Sequence, residues 1–255
     1  MPAQVLGGEQ KEVTFPSMRF FFLLTTPPAA IGAWKPPTEL MQHLRALRFA
    51  PDEEFLLLAD GGQAWRARVA DRSSVELLGE AQAPTVELHR ITLATAWPKG
   101  KRAEDLVVRA CEAGVARIVP LQFQRSVAGR QAWGEKQMER LRRIARESCQ
   151  QLRNPQLPQI GAEPLPLSTF LQQADPRNCY YLHPGAPPLK GCWTTPRDGQ
   201  TTLLIGPEGG FDNGEIQAMQ EAGLKAAGLS PLILRIEAAG PMAAGLIQHL
   251  QLDRA

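Results

Sequence analysis

A chain of 255 residues exceeds the usual size of one domain, which predicts two domains, and its 44% apolar residues are enough to fill their cores. No apolar run approaches the roughly 20 residues that a membrane-spanning helix requires, which excludes an integral membrane protein. The net charge of +2 says little until the charges are counted by segment.

The first third of the chain has the pattern of short strands. Residues 1 to 17 are polar and lack periodicity, which predicts a disordered extension or a misplaced start. From Arg19 to about Leu88, apolar stretches alternate with Gly or Asp turns, which indicates a small antiparallel barrel interrupted by one helix, Leu40 to Phe49. The apolar core after Met18 has about five residues, fewer than the roughly 7 to 15 of a secretory signal, so we expect a cytoplasmic protein.

From His89 onward, strand patterns alternate with helix patterns. Helices are predicted from Arg102 to Ala113 and from Lys136 to Gln151. The strand patterns are HRITLATAW, ARIVPLQF, NCYYLHP and TTLLIG. This alternation predicts an α/β domain with a mostly parallel sheet, whose strand ends carry loops available to ligands. The Pro-rich piece from Pro155 to Pro166 reads as a connector.

The basic side chains are concentrated in one segment. Residues 89 to 153 hold fourteen basic and six acidic side chains, whereas residues 1 to 88 hold eight bases and eleven acids. A local positive field is suited to binding phosphate groups, as in RNA. The alternative is a solvated helix face, because Glu139, Arg142 and Arg143 have spacings that permit ion pairs. Charge alone leaves both interpretations open.

The cysteines do not indicate a metal site. Cys111, Cys149, Cys179 and Cys192 form no C-x-x-C pair, and the four histidines form no ligand-spaced cluster with them. We therefore predict buried thiols and no metal, with a disulfide between Cys179 and Cys192 as the alternative.

One glycine-rich stretch lies between a predicted strand and a predicted helix. The apolar run TTLLI ends at Ile205, and GPEGG follows before a helix predicted from about Asn213. Glycines let a ligand approach the backbone closely. Asp212 is a candidate N-cap, with Glu215 as its partner in a capping box. The stretch lacks the Gly-Lys-Ser/Thr of a P-loop and the pattern G-x-G-x-x-G, so it favours a small-molecule site or a structural turn over a nucleotide phosphate site.

A second motif near the end of the chain helps to interpret the glycine-rich stretch. GLSPLILRIEAA, from Gly228 to Ala239, reads as a turn, a short apolar strand, an Arg/Glu pair, and then a helix of small residues from Pro241 to Leu250. Together with IGPEGGF from Ile205, it resembles the SPOUT methyltransferases, and among them the RsmE family, which methylates N3 of a uridine in 16S ribosomal RNA. The resemblance runs from Met18 to the end and includes HLRALR, PKGK, RSV and ESCQQLR in the same order.

The resemblance implies a fold, a cofactor and partners. It implies a PUA-like RNA-binding barrel over residues 18 to 86 and a SPOUT domain over residues 89 to 255, whose last segment forms a trefoil knot. S-adenosylmethionine (SAM) is the implied cofactor, and the implied partners are 16S rRNA or the small ribosomal subunit and a second copy of the chain. The implied cofactor-binding residues are Ile205, Gly206, Pro207, Glu208, Gly209, Gly210, Leu229, Ser230, Leu232 and Leu234. The glycines would be bare because the cofactor fills their space.

Catalytic and RNA-contacting roles fall on charged residues. Arg235 is the candidate donor to the uracil oxygens, which gain negative charge as the N3 proton leaves; the alternative is a structural ion pair with Glu237 or Glu208. Glu237 would orient Arg235 or accept a proton, or would stabilise the final helix. The predicted RNA contacts are Arg19, Arg48, Arg125, Arg130 and Arg153.

Two departures from the family pattern raise an alternative function. Ile236 and Ala238 stand where the family has threonines, and Leu232 stands where it has a basic residue. A noncatalytic RNA-binding assembly factor that kept the fold is therefore the alternative to a methyltransferase. A SPOUT methyltransferase with another RNA target is a third possibility.

Overall fold

The computed structural model describes residues 21–24, 27–28, 30–50, 52–59, 63–126 and 133–252. The predictions for residues 1–17, Arg19 and Arg130 lie outside these ranges. The chain forms two compact units, residues 1–85 and 86–255. Within the described ranges, no helix is both long and apolar enough to cross a membrane.

The first unit contains one five-stranded sheet. Its strands are β1 (Phe21–Leu24), β2 (Gly32–Trp34), β3 (Glu54–Ala59), β4 (Gln63–Val69) and β5 (Val75–Gln82). Their order is β1-β3-β4-β5-β2. The pairings β3–β4, β4–β5 and β2–β5 are antiparallel, as predicted, but β1 pairs with β3 in parallel. The prediction of a purely antiparallel sheet is wrong at this edge, because the chain between β1 and β3 passes through β2 and a helix before it returns.

That helix, α1 (Thr38–Leu47), covers one face of the sheet. It begins and ends two residues earlier than predicted. Its Met41 and Leu44 are buried in one core cluster with Phe22 and Phe55. The neighbouring residues of β3 point the other way, and Leu56 belongs to a second, smaller cluster. Burial on both faces explains why β3 is apolar throughout rather than alternating.

The second unit is built on a parallel sheet. Its strands are β6 (Arg90–Thr95), β7 (Val115–Gln122), β8 (Gln159–Ile160), β9 (Leu165–Pro166), β10 (Cys179–Leu182), β11 (Gln200–Ile205) and β12 (Lys225–Ala227). The order is β12-β10-β11-β6-β7-β8, and β9 also pairs with β7. Each of these pairings is parallel, which confirms the predicted α/β class and mostly parallel sheet.

Five helices lie between these strands in the chain, and a sixth follows β12. They are α2 (Lys101–Glu112), α3 (Glu135–Gln151), α4 (Leu167–Gln173), α5 (Leu189–Cys192), α6 (Asn213–Glu221) and α7 (Ile236–Leu252). A short 3₁₀ turn, Pro176–Asn178, precedes β10. Apolar residues at helical spacing bury one face of α2, including Leu106 and Ala110. The predicted bounds of α2 and α3 are correct to within one residue.

Two predictions about the chain path are wrong. The last helix begins at Ile236, not at Pro241, because the amides of Ala238 and Ala239 already donate to the carbonyl of Arg235. Pro241 lies inside α7, where the missing N–H removes one bond of the helix. The apolar stretch after Gly228 is a loop and not a strand, and β8 and β9 fall within the predicted connector.

The four cysteines are free thiols. Cys111, Cys149 and Cys179 are buried and Cys192 is half-buried, as predicted for the first three, and the alternative disulfide is not formed. Burial raises the pKa of the Cys179 thiol to about 12. Cys179 is therefore a packing residue in the neutral form.

A buried polar cluster lies at the amino-terminal edge of the parallel sheet. His89 is 6% exposed, and its Nε2 lies 2.8 Å from Oγ1 of Thr201. Trp193 donates from its indole nitrogen to the same hydroxyl at 3.1 Å. The side chain of Gln248 on α7 accepts from the backbone amide of His89 and donates to its carbonyl. Burial lowers the pKa of His89, an effect that Asp198 partly opposes.

The His89 cluster predicts a loss of stability in acid. Because the pKa of His89 is lower in the folded chain, the unfolded chain binds more protons below about pH 6.5, the ordinary histidine value. The free energy of unfolding should therefore fall as pH drops through this value, and His89 should add no pH dependence above it. Urea unfolding at several pH values should give a smaller acid loss for His89→Asn than for the wild type. An equal loss in both proteins would contradict the prediction.

Candidate functional site

The glycine-rich loop begins where β11 ends at the carboxyl edge of the sheet. The amide of Gly210 donates to the carbonyl of Pro207 at 2.8 Å, which closes a tight turn. Gly210 has a φ of +69°, a conformation that favours glycine. The loop then enters α6 through the predicted capping box. The Asp212 carboxylate accepts from the Glu215 amide at 2.7 Å, and the Glu215 carboxylate accepts from the Asp212 amide at 2.9 Å.

At two of the loop glycines, a side chain is excluded for a different reason from the one predicted. A Cβ on Gly206 would lie 3.2 Å from the ring of Phe211, and a Cβ on Gly209 would lie 3.1 Å from the Cβ of Arg125. Protein side chains fill the space beside these two residues. The prediction that a cofactor accounts for their missing side chains is therefore wrong.

Two further segments near the glycine loop, the chain after β10 and the chain after β12, pair through their backbones. The His183 amide donates to the Ala227 carbonyl at 3.0 Å, and the Leu189 amide donates to the Gly228 carbonyl at 2.8 Å. The Gly228 amide donates in turn to the Pro187 carbonyl at 2.7 Å. These bonds fix the point from which the chain enters the loop of residues 229–235.

A cavity of about 500 Å³ lies between the glycine loop and this second loop. Its volume is within the range of about 300 to 1,000 Å³ that is usual for small-molecule sites. All ten residues predicted to bind the cofactor line it, together with Arg235. Ile233, within the predicted segment from Leu229 to Leu234, also lines it. The further lining residues that the sequence did not assign to the site are Arg102, Leu182, His183, Pro184, Phe211, Ile236 and Ala239.

Charged groups stand at the rim of the cavity. Arg102, at the start of α2, forms an ion pair with Glu208 at 3.1 Å, so Glu208 is not the partner of Arg235. The Arg235 side chain is 82% exposed, and its Nη1 lies 4.0 Å from Oε1 of Glu237. Glu237 itself is buried, and its Oε2 has no hydrogen-bond partner among the described residues. Arg235 is thus held only loosely, with a buried carboxylate beside it.

The described RNA-contact candidates do not share one environment. Arg125 is exposed but donates hydrogen bonds to the carbonyls of Gly209 and Phe211 in the glycine loop. Arg48 and Arg153 are exposed and have φ values of 53° and 54°; within the described ranges they are the residues other than glycine with positive φ.

The ion pairs expected on α3 are present in part. Arg140, Arg142 and Arg143 bind Glu104, Glu135 and Glu147 at 2.9, 3.0 and 3.2 Å. Exposed pairs of this kind contribute only about 0 to 1 kcal/mol each, so phosphate groups can compete for the arginines. Both interpretations of the basic segment therefore keep some support.

A cavity at the carboxyl ends of parallel strands, lined by glycine backbone and apolar side chains, defines an α/β domain that binds a small molecule. The model of the RNA methyltransferase domain matches residues 86–248, and this chain belongs to that family. The ribosomal RNA small subunit methyltransferase E of Synechocystis is 28% identical over 89% of this chain and 77% of its own length.

Solved structures are similar over both units. The crystal structure of a ribosomal RNA small subunit methyltransferase E from Neisseria gonorrhoeae, bound to SAM, has a TM-score of 0.73 and 26% identity. It covers 90% of this chain and 97% of its own. A Legionella pneumophila protein solved with bound SAM has the same TM-score and identity, covering 92% and 98%. The predicted family, RNA methyltransferase activity and SAM cofactor are confirmed.

Proposed function

We propose that this protein transfers the methyl group of SAM to N3 of one uridine in the RNA of the small ribosomal subunit. The observation that carries the proposal is the cavity, because it joins the two motifs by which the chain resembles RsmE. The names of the similar proteins support ribosomal RNA of the small subunit as the substrate. Such a substrate also supports a cytoplasmic location.

The residues around the cavity are suited to SAM. Leu229, Leu234 and Ile205 offer apolar contacts for an adenine ring, and Gly210, where a Cβ would have no neighbour within 4 Å, leaves its backbone open to polar groups. The Arg102–Glu208 pair places both signs of charge at the rim, which matches the charged amino and carboxyl groups of a methionine moiety. When bound, SAM supplies an already activated methyl group, so the protein has to bind and orient the uridine and help it lose the N3 proton.

Arg235 is positioned to help the uridine lose its N3 proton. It lines the cavity, its guanidinium is mostly exposed, and it is not paired with Glu208. Donation to a uracil oxygen would stabilise the charge that develops as N3 is deprotonated. Glu237 is buried beside it, and one of its carboxylate oxygens has no partner within the described part of the chain, so it is suited to orienting Arg235 once the substrate is bound, or to accepting the proton.

The resemblance also assigns a fold to each of the two units. We propose that residues 18–86 act as a PUA-like RNA-binding barrel and residues 89–255 as a SPOUT domain with a trefoil knot. The five-stranded sheet with α1 packed on one face supports the first assignment. The second is supported by the match of the RNA methyltransferase domain to residues 86–248 and by the parallel sheet of that unit, while the knot rests on the resemblance to RsmE.

Arg153 offers a test of RNA binding that separates function from stability. A residue with φ near +54° is strained unless it is glycine, so Arg153→Gly should leave the free energy of unfolding unchanged or raise it by up to about 1 kcal/mol. If Arg153 contacts a phosphate, the same change should weaken RNA binding and lower the slope of log affinity against log salt by about one. Filter binding at several salt concentrations measures both. Unchanged RNA affinity would remove Arg153 from the interface.

We propose a homodimer that uses the groove between α2 and α7. This groove has a volume of about 620 Å³ and is lined by Val108 and Pro241, among others, and by Met242, which is 52% exposed. The groove also carries the charged residues Asp105, Arg109 and Glu112, so a second copy of the chain would cover a surface of mixed character.

Met242→Glu should therefore shift the protein from dimer to monomer in sedimentation, because a charge would be buried at the interface. Leu252→Glu, on the same helix but not among the residues lining the groove, is the matched control and should remain dimeric. A wild-type protein that sediments as a monomer, or a Met242→Glu variant that stays dimeric, would contradict this placement.

Transfer of labelled methyl groups from SAM to purified ribosomal subunits tests the proposed function. Label in the RNA of small subunits but not of large subunits is the expected result. A folded protein that binds RNA but transfers no label, and for which calorimetry detects no SAM binding, would favour the noncatalytic assembly factor. Label in large subunits or transfer RNA would instead favour a methyltransferase with another target.

A further inference from the structure

The turn that follows β7 reaches the glycine loop across an intervening strand. In the sheet, β6 lies between β11, which leads into the glycine loop, and β7, which leads into residues 123–126. These two connections leave the same carboxyl edge, because the strands are parallel. Contacts between them therefore join two segments that are not neighbours in the sheet.

The turn after β7 is held rigidly by its own hydrogen bonds. The amide of Ser126 donates to the carbonyl of Phe123 at 3.1 Å, and the hydroxyl of Ser126 accepts from the amide of Phe123 at 3.2 Å. Ser126 is buried, at 5% exposure. Arg125 thus starts from a fixed backbone position, although its own side chain is at the surface.

The guanidinium of Arg125 binds the glycine loop at two points. Its Nη1 donates to the carbonyl oxygens of Gly209 and Phe211, both at 3.2 Å. The stem of the side chain packs on Gly209, where a Cβ would come within 3.1 Å of the Cβ of Arg125. An arginine can serve two acceptors with a fixed geometry, which a lysine ammonium on a flexible stem does less well.

Two further contacts join the same segments. The Gln124 amide donates to Oε1 of Glu215 at 2.7 Å, while Oε2 of Glu215 accepts from the Asp212 amide in the capping box. The rings of Phe123 and Phe211 meet edge to face, with centroids 5.4 Å apart. The glycine loop is therefore attached to the turn after β7 before it enters α6.

We propose that Arg125 is a positioning residue that holds the glycine loop in the conformation that binds SAM. The proposal rests on the proposed function, since it assigns the loop to the cofactor. Arg125 is not among the residues that line the cavity, so it acts through Gly209 and Phe211. Its role differs from the RNA contact that the sequence suggested, because both of its described bonds are made to the loop.

The test compares Arg125→Gln, Arg125→Lys and the control Arg197→Gln, which removes an exposed charge far along the chain from both segments. Calorimetry measures the Kd for SAM, filter binding measures the affinity for RNA, and steady-state kinetics with small subunits gives kcat and the KM for SAM. Loss of two charge-assisted bonds should raise the Kd and KM for SAM about tenfold or more in Arg125→Gln, with kcat at saturating SAM nearly kept.

The lysine variant separates positioning from charge. Arg125→Lys should also bind SAM more weakly than the wild type while it keeps its affinity for RNA, and Arg197→Gln should match the wild type in both. SAM affinity that is unchanged in Arg125→Gln would overturn the proposal, as would a loss of RNA affinity alone. A wild-type protein that does not bind SAM would instead overturn the proposed function.

Discussion

Replacing Gly228 by alanine is expected to disrupt the cofactor cavity and to lower the free energy of unfolding by about 3 kcal/mol. A Cβ at this position would lie 2.4 Å from the carbonyl oxygen of Ala186, and a backbone atom cannot move aside as a flexible side chain can. The same glycine exchanges hydrogen bonds with Pro187 and Leu189. Relief of the clash must separate the two segments that form one wall of the cavity.

The experiment on Gly228 combines urea unfolding with calorimetric titration of SAM. Gly191→Ala is the matched control, because it lies in the same stretch and a Cβ there has no neighbour within 4 Å. The control should bind SAM as the wild type does, whereas Gly228→Ala should bind it at least about a hundredfold more weakly, equivalent to roughly 2.7 kcal/mol. Normal stability and SAM affinity in Gly228→Ala would mean that the two segments are not packed as described.

Replacing Arg235 by alanine is expected to lower kcat about 100- to 1,000-fold while the affinity for SAM stays nearly the same. The separation follows from the position of the side chain. Arg235 lines the cavity but is 82% exposed, and its ion pair with Glu237 among the described residues is long, at 4.0 Å, so we expect its removal to leave the packing of the cavity walls intact. What it removes is a donor for the charge that develops on the uracil.

Kinetics with small ribosomal subunits and calorimetry with SAM measure the two effects on Arg235 separately. Arg197→Ala, an exposed arginine outside the cavity, controls for loss of a surface charge. Glu237→Gln should also lower kcat if that carboxylate orients Arg235 or takes up a proton. Unchanged turnover in Arg235→Ala would remove Arg235 from the mechanism and leave it as a surface residue.

Local signals in the sequence predicted those parts of the fold that local interactions determine. The capping box of Asp212 and Glu215 needs only three residues of spacing, and it forms as predicted. The parallel sheet follows from alternating strand and helix patterns, which are repeated along the second unit. The ten predicted cofactor-binding residues all line one cavity, because the two motifs that carry the resemblance form its two loops.

The failures occur where tertiary contacts outweigh local preference. Pro241 suggested a helix start, yet α7 continues through it because its small residues pack closely on the sheet. Ile233 belongs to an apolar run typical of a strand, but it lies 91% exposed in a loop beside the cavity. Partners distant in sequence were not predictable from spacing: Arg102 with Glu208, and Arg125 with Gly209.

Nucleoside mass spectrometry of small-subunit RNA, after reaction with SAM and this protein, tests the central claim most directly. The RNA should come from ribosomes that lack the modification, and Arg235→Ala serves as the parallel control. We expect 3-methyluridine in the reaction with the wild-type protein and far less with the variant. A ribose-methylated nucleoside, or no methylated product from a folded protein that binds SAM, would contradict the assignment of uridine N3 as the target.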